Sequence, residues 1–266
     1  MRVRPTVLKL GGSVITHKNK PFTANSGAIS RLAKEIAEAK IPQLIIVHGG
    51  GSFGHPLAKE YAIKEGFRGD VSQLLGFSKT HESMITLNNM VLKALIRHNI
   101  PALSIAPSSL IVTKAGRIAS STGESLKRLL NMRLVPLLYG DAVLDSDLGF
   151  TILSGDQLVA SIATELNAEQ VVIGIDEDGL FTADPKGKAP ANLIRVCTLK
   201  QLRQMQKCGQ GMLVNDVTGG MQGKLTELIS VIEKGITAQI VNASKPKRVY
   251  MALRGEKVIG TYINEN

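Results

Sequence analysis

Val47-His48-Gly49-Gly50-Gly51-Ser52-Phe53-Gly54-His55, running straight out of the apolar stretch Gln43-Leu44-Ile45-Ile46, decides how this sequence is read. The apolar run predicts a buried strand, and three glycines at its end serve no packing purpose. Glycine exposes bare backbone N–H groups and lets the oxygens of another molecule come close. Residues 55–64 have helical spacing, so the loop is expected to deliver its amides near a helix N-terminus, where anions are favoured. The first apolar strand ends in the same way, Val7-Leu8-Lys9-Leu10-Gly11-Gly12-Ser13, with Lys9 and Lys18 flanking the glycine pair. Two strand-to-glycine units with lysines and a closing histidine describe a place for phosphates.

Outward from these loops, apolar strands alternate with amphipathic helices along the whole chain. Strands are predicted at 6–11, 43–48, 102–106, 134–139, 170–175, 238–242 and 257–263. Helices are predicted at 26–39, 56–64, 71–97, 122–130, 155–166, 199–207 and 220–234, and hairpins at 110–119 and 142–153. This order predicts an α/β fold with an open, mainly parallel sheet covered on both faces. No Pro/Ser/Gly-rich linker, charge block or internal repeat divides the chain, so residues 1–266 are expected to form a single domain.

Composition narrows the function classes. The chain is 44% hydrophobic and 20% charged, and no apolar stretch approaches the ~20 residues of a membrane span. No signal-peptide pattern precedes the first strand, so a cytoplasmic location is expected. The two cysteines, Cys197 and Cys208, lack partners at zinc spacing, so neither a metal site nor a disulfide is expected. The net charge of +10 is spread along the chain, which suits anionic ligands. No nucleic-acid-binding motif accompanies that charge, and nucleic acid is not expected as the partner.

Two motif matches fail on context. Gly49-x-Gly51-x-x-Gly54 has the spacing of a dinucleotide fingerprint, but the following stretch is polar and helical where a second strand with an acidic end is required. Gly219-Gly220-Met221-Gln222-Gly223-Lys224-Leu225 is one residue short of a P-loop, and Leu225 stands where a magnesium-binding hydroxyl belongs. What remains are loops at the C-terminal ends of strands, where open α/β sheets bind ligands. Lys9 lies inside an apolar strand, and an ammonium is costly to bury without a partner; the alternative is a lysine reaching solvent at the strand edge. Lys224 opens a helix after two glycine turns, as a phosphate ligand or as an ordinary surface lysine. Asp156, in Leu153-Ser154-Gly155-Asp156, serves either as a first-turn carboxylate or as the group that holds two lysines in place. His55, before Pro56, either contacts an anion or caps its helix.

Taken in order, Lys9-Leu-Gly-Gly-Ser13, His48-Gly-Gly-Gly51, Ser154-Gly-Asp156, Asp176…Gly179-Leu-Phe-Thr-Ala-Asp-Pro185 and Thr218-Gly-Gly-Met-Gln-Gly-Lys224 resemble the amino acid kinase family over nearly the whole chain. The resemblance implies a three-layer α/β/α sandwich, usually dimeric, with the acceptor in the N-terminal half and ATP in the C-terminal half. Within the family, Gly51-Ser52-Phe53-Gly54-His55 is similar to the branch that phosphorylates isopentenyl phosphate. Fosfomycin kinases carry a similar histidine, and a nucleotide-binding sensor without turnover is the reading from another class. On the resemblance, His55 with the amides of Gly50 and Gly155 holds the acceptor phosphate. Lys9 and Lys224 hold the β- and γ-phosphates, Lys18 follows the transferring group and Asp156 orients the lysines. Gly11, Gly12, Ser13, Gly51, Asp176, Phe181, Thr182, Ala183, Asp184, Pro185, Lys186 and Gly220 surround the nucleotide. Magnesium is expected on the ATP phosphates with no dedicated protein site. Leu74, Phe77, Met84, Leu87, Val91 and Leu95 form an apolar stripe on the predicted helix 71–97, mostly core, with part available to an alkyl group.

Overall fold

The computed structural model describes residues 4–120, 122–183, 185, 187, 190–208 and 220–266. The chain begins β1 (Thr6–Leu10), α1 (Gly12–Ile15), α2 (Ser26–Ala39), β2 (Leu44–His48), α3 (Gly51–Glu60) and α4 (Val71–Arg97). It continues β3 (Ala102–Ser104), β4 (Val112–Lys114), β5 (Arg117–Ile118), α5 (Gly123–Asn131), β6 (Val135–Tyr139), β7 (Asp141–Asp145) and β8 (Gly149–Leu153). Then follow α6 (Gly155–Leu166), β9 (Gln170–Ile175), β10 (Leu180–Phe181), β11 (Leu193–Ile194), β12 (Val196–Thr198) and α7 (Leu199–Cys208). The chain closes with α8 (Gly220–Ile232), β13 (Thr237–Asn242), α9 (Arg248–Leu253) and β14 (Gly260–Asn264).

Among the described residues the main sheet has eight strands in the order β12-β14-β13-β9-β1-β2-β6-β3. From β13 to β3 all neighbours are parallel, and only β14 and β12 run against them. β1 and β2 are buried along their full length, as strands covered on both faces must be. The pleat divides their side chains. Val7, Ile45 and Val47 pack with Leu158 of α6 and Leu225 of α8, whereas Leu8, Leu10 and Ile46 pack with Leu32 of α2, Leu87 of α4 and Val249 of α9. The fold is therefore the expected three-layer α/β/α sandwich. Lys9, two residues after Val7, faces the α6–α8 side.

The two hairpins form one additional sheet, β5-β4-β7-β8, because β4 pairs in parallel with β7. Asp145 locks them together. Its carboxylate accepts from Thr113 Oγ1 at 2.7 Å and from the amides of Gly116, Asp147 and Leu148 at 2.8–2.9 Å.

The helix predicted at 56–64 begins five residues earlier, at Gly51, and ends at Glu60. Pro56 thus lies inside it, which normally orphans the carbonyl four residues back. Here that carbonyl, on Ser52, accepts from Phe22 N at 3.1 Å, and the helix continues.

Candidate active site

The C-terminal ends of β1, β2, β6 and β9 meet at one edge of the sheet. There the two glycine loops cross backbone to backbone. A Cβ on Gly12 would lie 2.3 Å from the nitrogen of Gly51, and Gly51 itself has φ +49°. Thr16 pins the crossing: its hydroxyl donates to Gly12 O at 2.7 Å and accepts from Ser52 N at 3.0 Å. The amide of Gly49 donates to Leu10 O, while those of Gly50 and Gly51 meet no acceptor among the described residues. The amide of Gly155, at the start of α6, also meets no acceptor among the described residues. Gly155 sits against the end of β2, where any Cβ on it would lie 3.4 Å from His48 O. Ser154 caps that helix through Gln157 N at 3.1 Å.

Beside these amides lies a buried ion cluster. Lys9 Nζ is 2.6 Å from Asp156 Oδ1, and Lys224 Nζ is 3.1 Å from the same oxygen. The three side chains are only 7%, 18% and 12% exposed. Burial pushes the Lys9 ammonium down to about 8, with Asp156 pulling against the shift. Burial also opposes ionisation of Asp156, but the two ammonium groups overcome it and hold the carboxyl at about 2. Two cations sharing one carboxylate keep a net positive charge at the sheet edge. The core anchors α8 through Leu225 and Leu228, and Glu227 pairs with Arg117 of β5, so Lys224 projects from a fixed helix.

A second cluster is built differently. Lys18 Nζ is 2.8 Å from Asp176 Oδ2, and Ser13 Oγ donates to Asp176 Oδ1 at 2.7 Å. Lys18 is 59% exposed, so this pair contributes little energy and the lysine is free to leave it. Gly11 lies alongside, its amide donating to Gly174 O at 2.8 Å. His55 stands exposed one turn into α3. Phe181 and Ala183 are half-buried, Thr182 pairs with Asn192 through its backbone amide and its hydroxyl, and Pro185 is exposed. Gly220 begins α8. Asp184 and Lys186 lie outside the described residues, as does 209–219.

Sequence reading missed two groups. Asp178 accepts from Asn242 Nδ2 at 2.9 Å and from Arg248 at 2.6 Å, joining the end of β9 to β13 and α9. His81 of α4 holds buried Asp141, the first residue of β7. Both pairs join residues about 60 or more positions apart, and neither carries a local motif. His48, by contrast, drops out as a charged group. It is fully buried, stacks on Tyr139 with ring centroids 5.5 Å apart, and burial pushes it down to about 4.

The sequence profile described as the amino acid kinase family matches residues 4–242. The chain belongs to the amino acid kinase family. Among curated members it is 42% identical over 264 residues to an isopentenyl phosphate kinase of Methanothermobacter thermautotrophicus, covering 97% of this chain and 98% of that one. It is 37% identical over 270 residues to an isopentenyl phosphate kinase of Methanocaldococcus jannaschii, with the same shares covered. A crystallographic isopentenyl phosphate kinase matches with a TM-score of 0.85 at 39% identity, over 97% of this chain and 99% of that one. The amino acid kinase fold thus extends over nearly the whole molecule. No described helix is long and apolar enough to cross a membrane.

Proposed function

We propose that this chain transfers the γ-phosphoryl group of ATP to the phosphate of isopentenyl phosphate, giving isopentenyl diphosphate and ADP. The observation that carries the chemistry is the pair of largely enclosed lysines on Asp156, beside the amides of Gly50, Gly51 and Gly155, which meet no acceptor among the described residues. The near full-length similarity to isopentenyl phosphate kinases supports the acceptor.

Phosphoryl transfer needs positioning and cations more than covalent help. The acceptor is a phosphomonoester, whose second pKa of about 6 leaves it dianionic near neutrality. One of its oxygens attacks the γ-phosphorus, the bond to the β–γ bridging oxygen breaks, and ADP leaves without a general base. In this reading Lys9 and Lys224 hold the β- and γ-phosphates and Asp156 keeps their ammonium groups at fixed spacing. Lys18 leaves Asp176 to follow the transferring group, while His55 with the amides of Gly50 and Gly155 holds the acceptor. The nucleotide lies along Gly11–Ser13, Asp176, the 181–186 turn and Gly220. The molecule works as one domain, its N-terminal half for the acceptor and its C-terminal half for ATP. On the family resemblance the enzyme is taken to be a cytoplasmic homodimer, which sedimentation tests.

Among the described residues no group of three or more His, Cys, Asp or Glu is arranged to hold a metal ion. Asp156 and Asp176, both engaged by lysines, fit a magnesium ion that arrives on ATP and takes few protein ligands. When bound, that ion neutralises charge on the transferring phosphates.

The test is ADP release from Mg-ATP with isopentenyl phosphate, fosfomycin, acetylglutamate or no acceptor. Turnover with isopentenyl phosphate to a diphosphate product is expected. Turnover only with fosfomycin or acetylglutamate overturns the acceptor, and ATP binding without turnover supports a sensor.

A further inference from the structure

Asp141 is the most enclosed carboxylate near the site, its side chain wholly inaccessible to solvent. Burial pushes its carboxyl above the ordinary range, against the pull of its hydrogen bonds. Both of its oxygens lie 3.0 Å from Nδ1 of His81, and Ala142 N donates to it at 2.9 Å. Ser108 completes the surroundings, its amide donating to Asp141 at 3.4 Å and its hydroxyl 3.4 Å from the same imidazole nitrogen. Because Ser108 and Asp141 share one nitrogen, the trio is no relay for activating the serine, which would need the opposite ring edge.

The ring is held at Nδ1, and Nε2 meets no hydrogen-bond partner among the described residues. The His81 side chain is 28% exposed, although the carboxylate that its Nδ1 contacts is wholly buried. Its neighbours along α4 and β7 pack against the glycine loops. Met84, one turn further along α4, packs its sulfur 3.0 Å from where a Cβ on Gly50 or Gly54 would stand. Ser83 Oγ donates to Phe53 O at 2.9 Å, tying α4 to the glycine loop. Gly140, immediately before Asp141, lies against Gly155, with any Cβ 3.2 Å from the Gly155 nitrogen. One turn back on α4, Phe77 packs on Phe150 with centroids 5.2 Å apart. His81 thus stands where the glycine amides give way to an apolar cluster.

We propose that His81, oriented by Asp141, is a second acceptor-binding imidazole whose Nε2–H donates to the phosphate of the substrate. This rests on the acceptor reading above. A phosphate at Nε2 and the Asp141 carboxylate at Nδ1 would then hold the ring from both edges. His81 then stands at the phosphate end of the substrate, next to the aromatic cluster that suits its apolar end.

The test uses the full chain. The His81→Ala variant is expected to raise KM for isopentenyl phosphate by about tenfold or more, the scale of one lost charge-assisted hydrogen bond, with KM for ATP unchanged. Asp141→Asn should act in the same direction, and the double variant should be no worse than His81→Ala alone. On the unaltered protein, 15N-histidine NMR should show the His81 Nε2 resonance shifting when isopentenyl phosphate is added without nucleotide. If His81→Ala fails to fold because Asp141 is left buried alone, the double variant and the NMR titration decide. An unmoved Nε2 resonance, an unchanged acceptor KM, or equal rises in both KM values overturn the proposal. If the unaltered enzyme does not turn over isopentenyl phosphate, the acceptor reading fails. His81 is then judged on inorganic phosphate alone: an Nε2 shift supports it as a phosphate ligand, and no shift overturns that too.

Discussion

Asp156→Asn is the most informative single change, because it alters charge without altering shape. Asp156 lies 2.6 Å from Lys9 and 3.1 Å from Lys224, and all three side chains are nearly enclosed. At an effective dielectric near 20 each contact is worth ~5–6 kcal/mol of attraction before desolvation is subtracted. In the variant both ammonium groups are left with one neutral amide: they share its carbonyl oxygen, and Lys224 also faces the NH2 group at the Oδ2 position, or the amide flips and both meet the NH2. Breaking a buried pair from one side costs about 3–5 kcal/mol, which in a chain of this size lowers Tm by roughly 6–20 °C. The deficit has a pH signature. The Lys9 ammonium, at about 8 in the native protein against 10.5 unfolded, falls further once its carboxylate is gone. Between the folded and unfolded values the unfolded chain binds more protons, so stability rises with pH there, over a wider window in the variant. Denaturant unfolding at pH 6.5 and pH 9.5 should therefore show a gap between variant and parent that narrows at the higher pH. A gap below about 1 kcal/mol, or one that is the same at both pH values, would refute the view that Asp156 neutralises these lysines.

Three further outcomes are expected. Lys18→Ala should lower kcat by about 100-fold or more with little change in either KM and no loss of stability, since its pair with Asp176 is exposed; equal losses in binding would contradict a transition-state role. His55→Ala should act through the acceptor, and steady-state kinetics with unchanged acceptor KM and kcat would remove His55 from the site. Gly12→Ala forces a methyl against the Gly51 backbone, with no flexible group to yield. It should cost about 1–3 kcal/mol and weaken ATP binding, and thermal melting with an ATP titration checks both.

Much of the fold was legible because strand burial and helix periodicity are written locally. Helices 26–39, 71–97 and 155–166 lie where their apolar spacing put them, and strand 170–175 matches at both ends. The helix after the glycine loop began earlier than predicted. Pro56 reads as the first residue of a helix, and a contact from Phe22, thirty residues away in the loop beyond α1, satisfies the carbonyl it orphans inside one. The parallel pairing of β4 with β7, which turns two hairpins into one sheet, was equally invisible, as it depends on Asp145 reaching loop amides of both.

The sequence by itself determined the parts of the proposed phosphate site: glycines where backbones cross, lysines at strand and helix ends, and a carboxylate at a helix start. Those residue types announce themselves because few other roles tolerate them there. Tertiary structure alone decided which parts act together. It set Lys9 and Lys224, far apart in sequence, on one carboxylate, left Lys18 on an exposed and weaker one, and turned His48 into a buried neutral ring. It also paired His81 with Asp141. The physical reason is that charge and burial are properties of the neighbourhood, and the neighbours of a residue at a sheet edge come from strands and helices a hundred residues away.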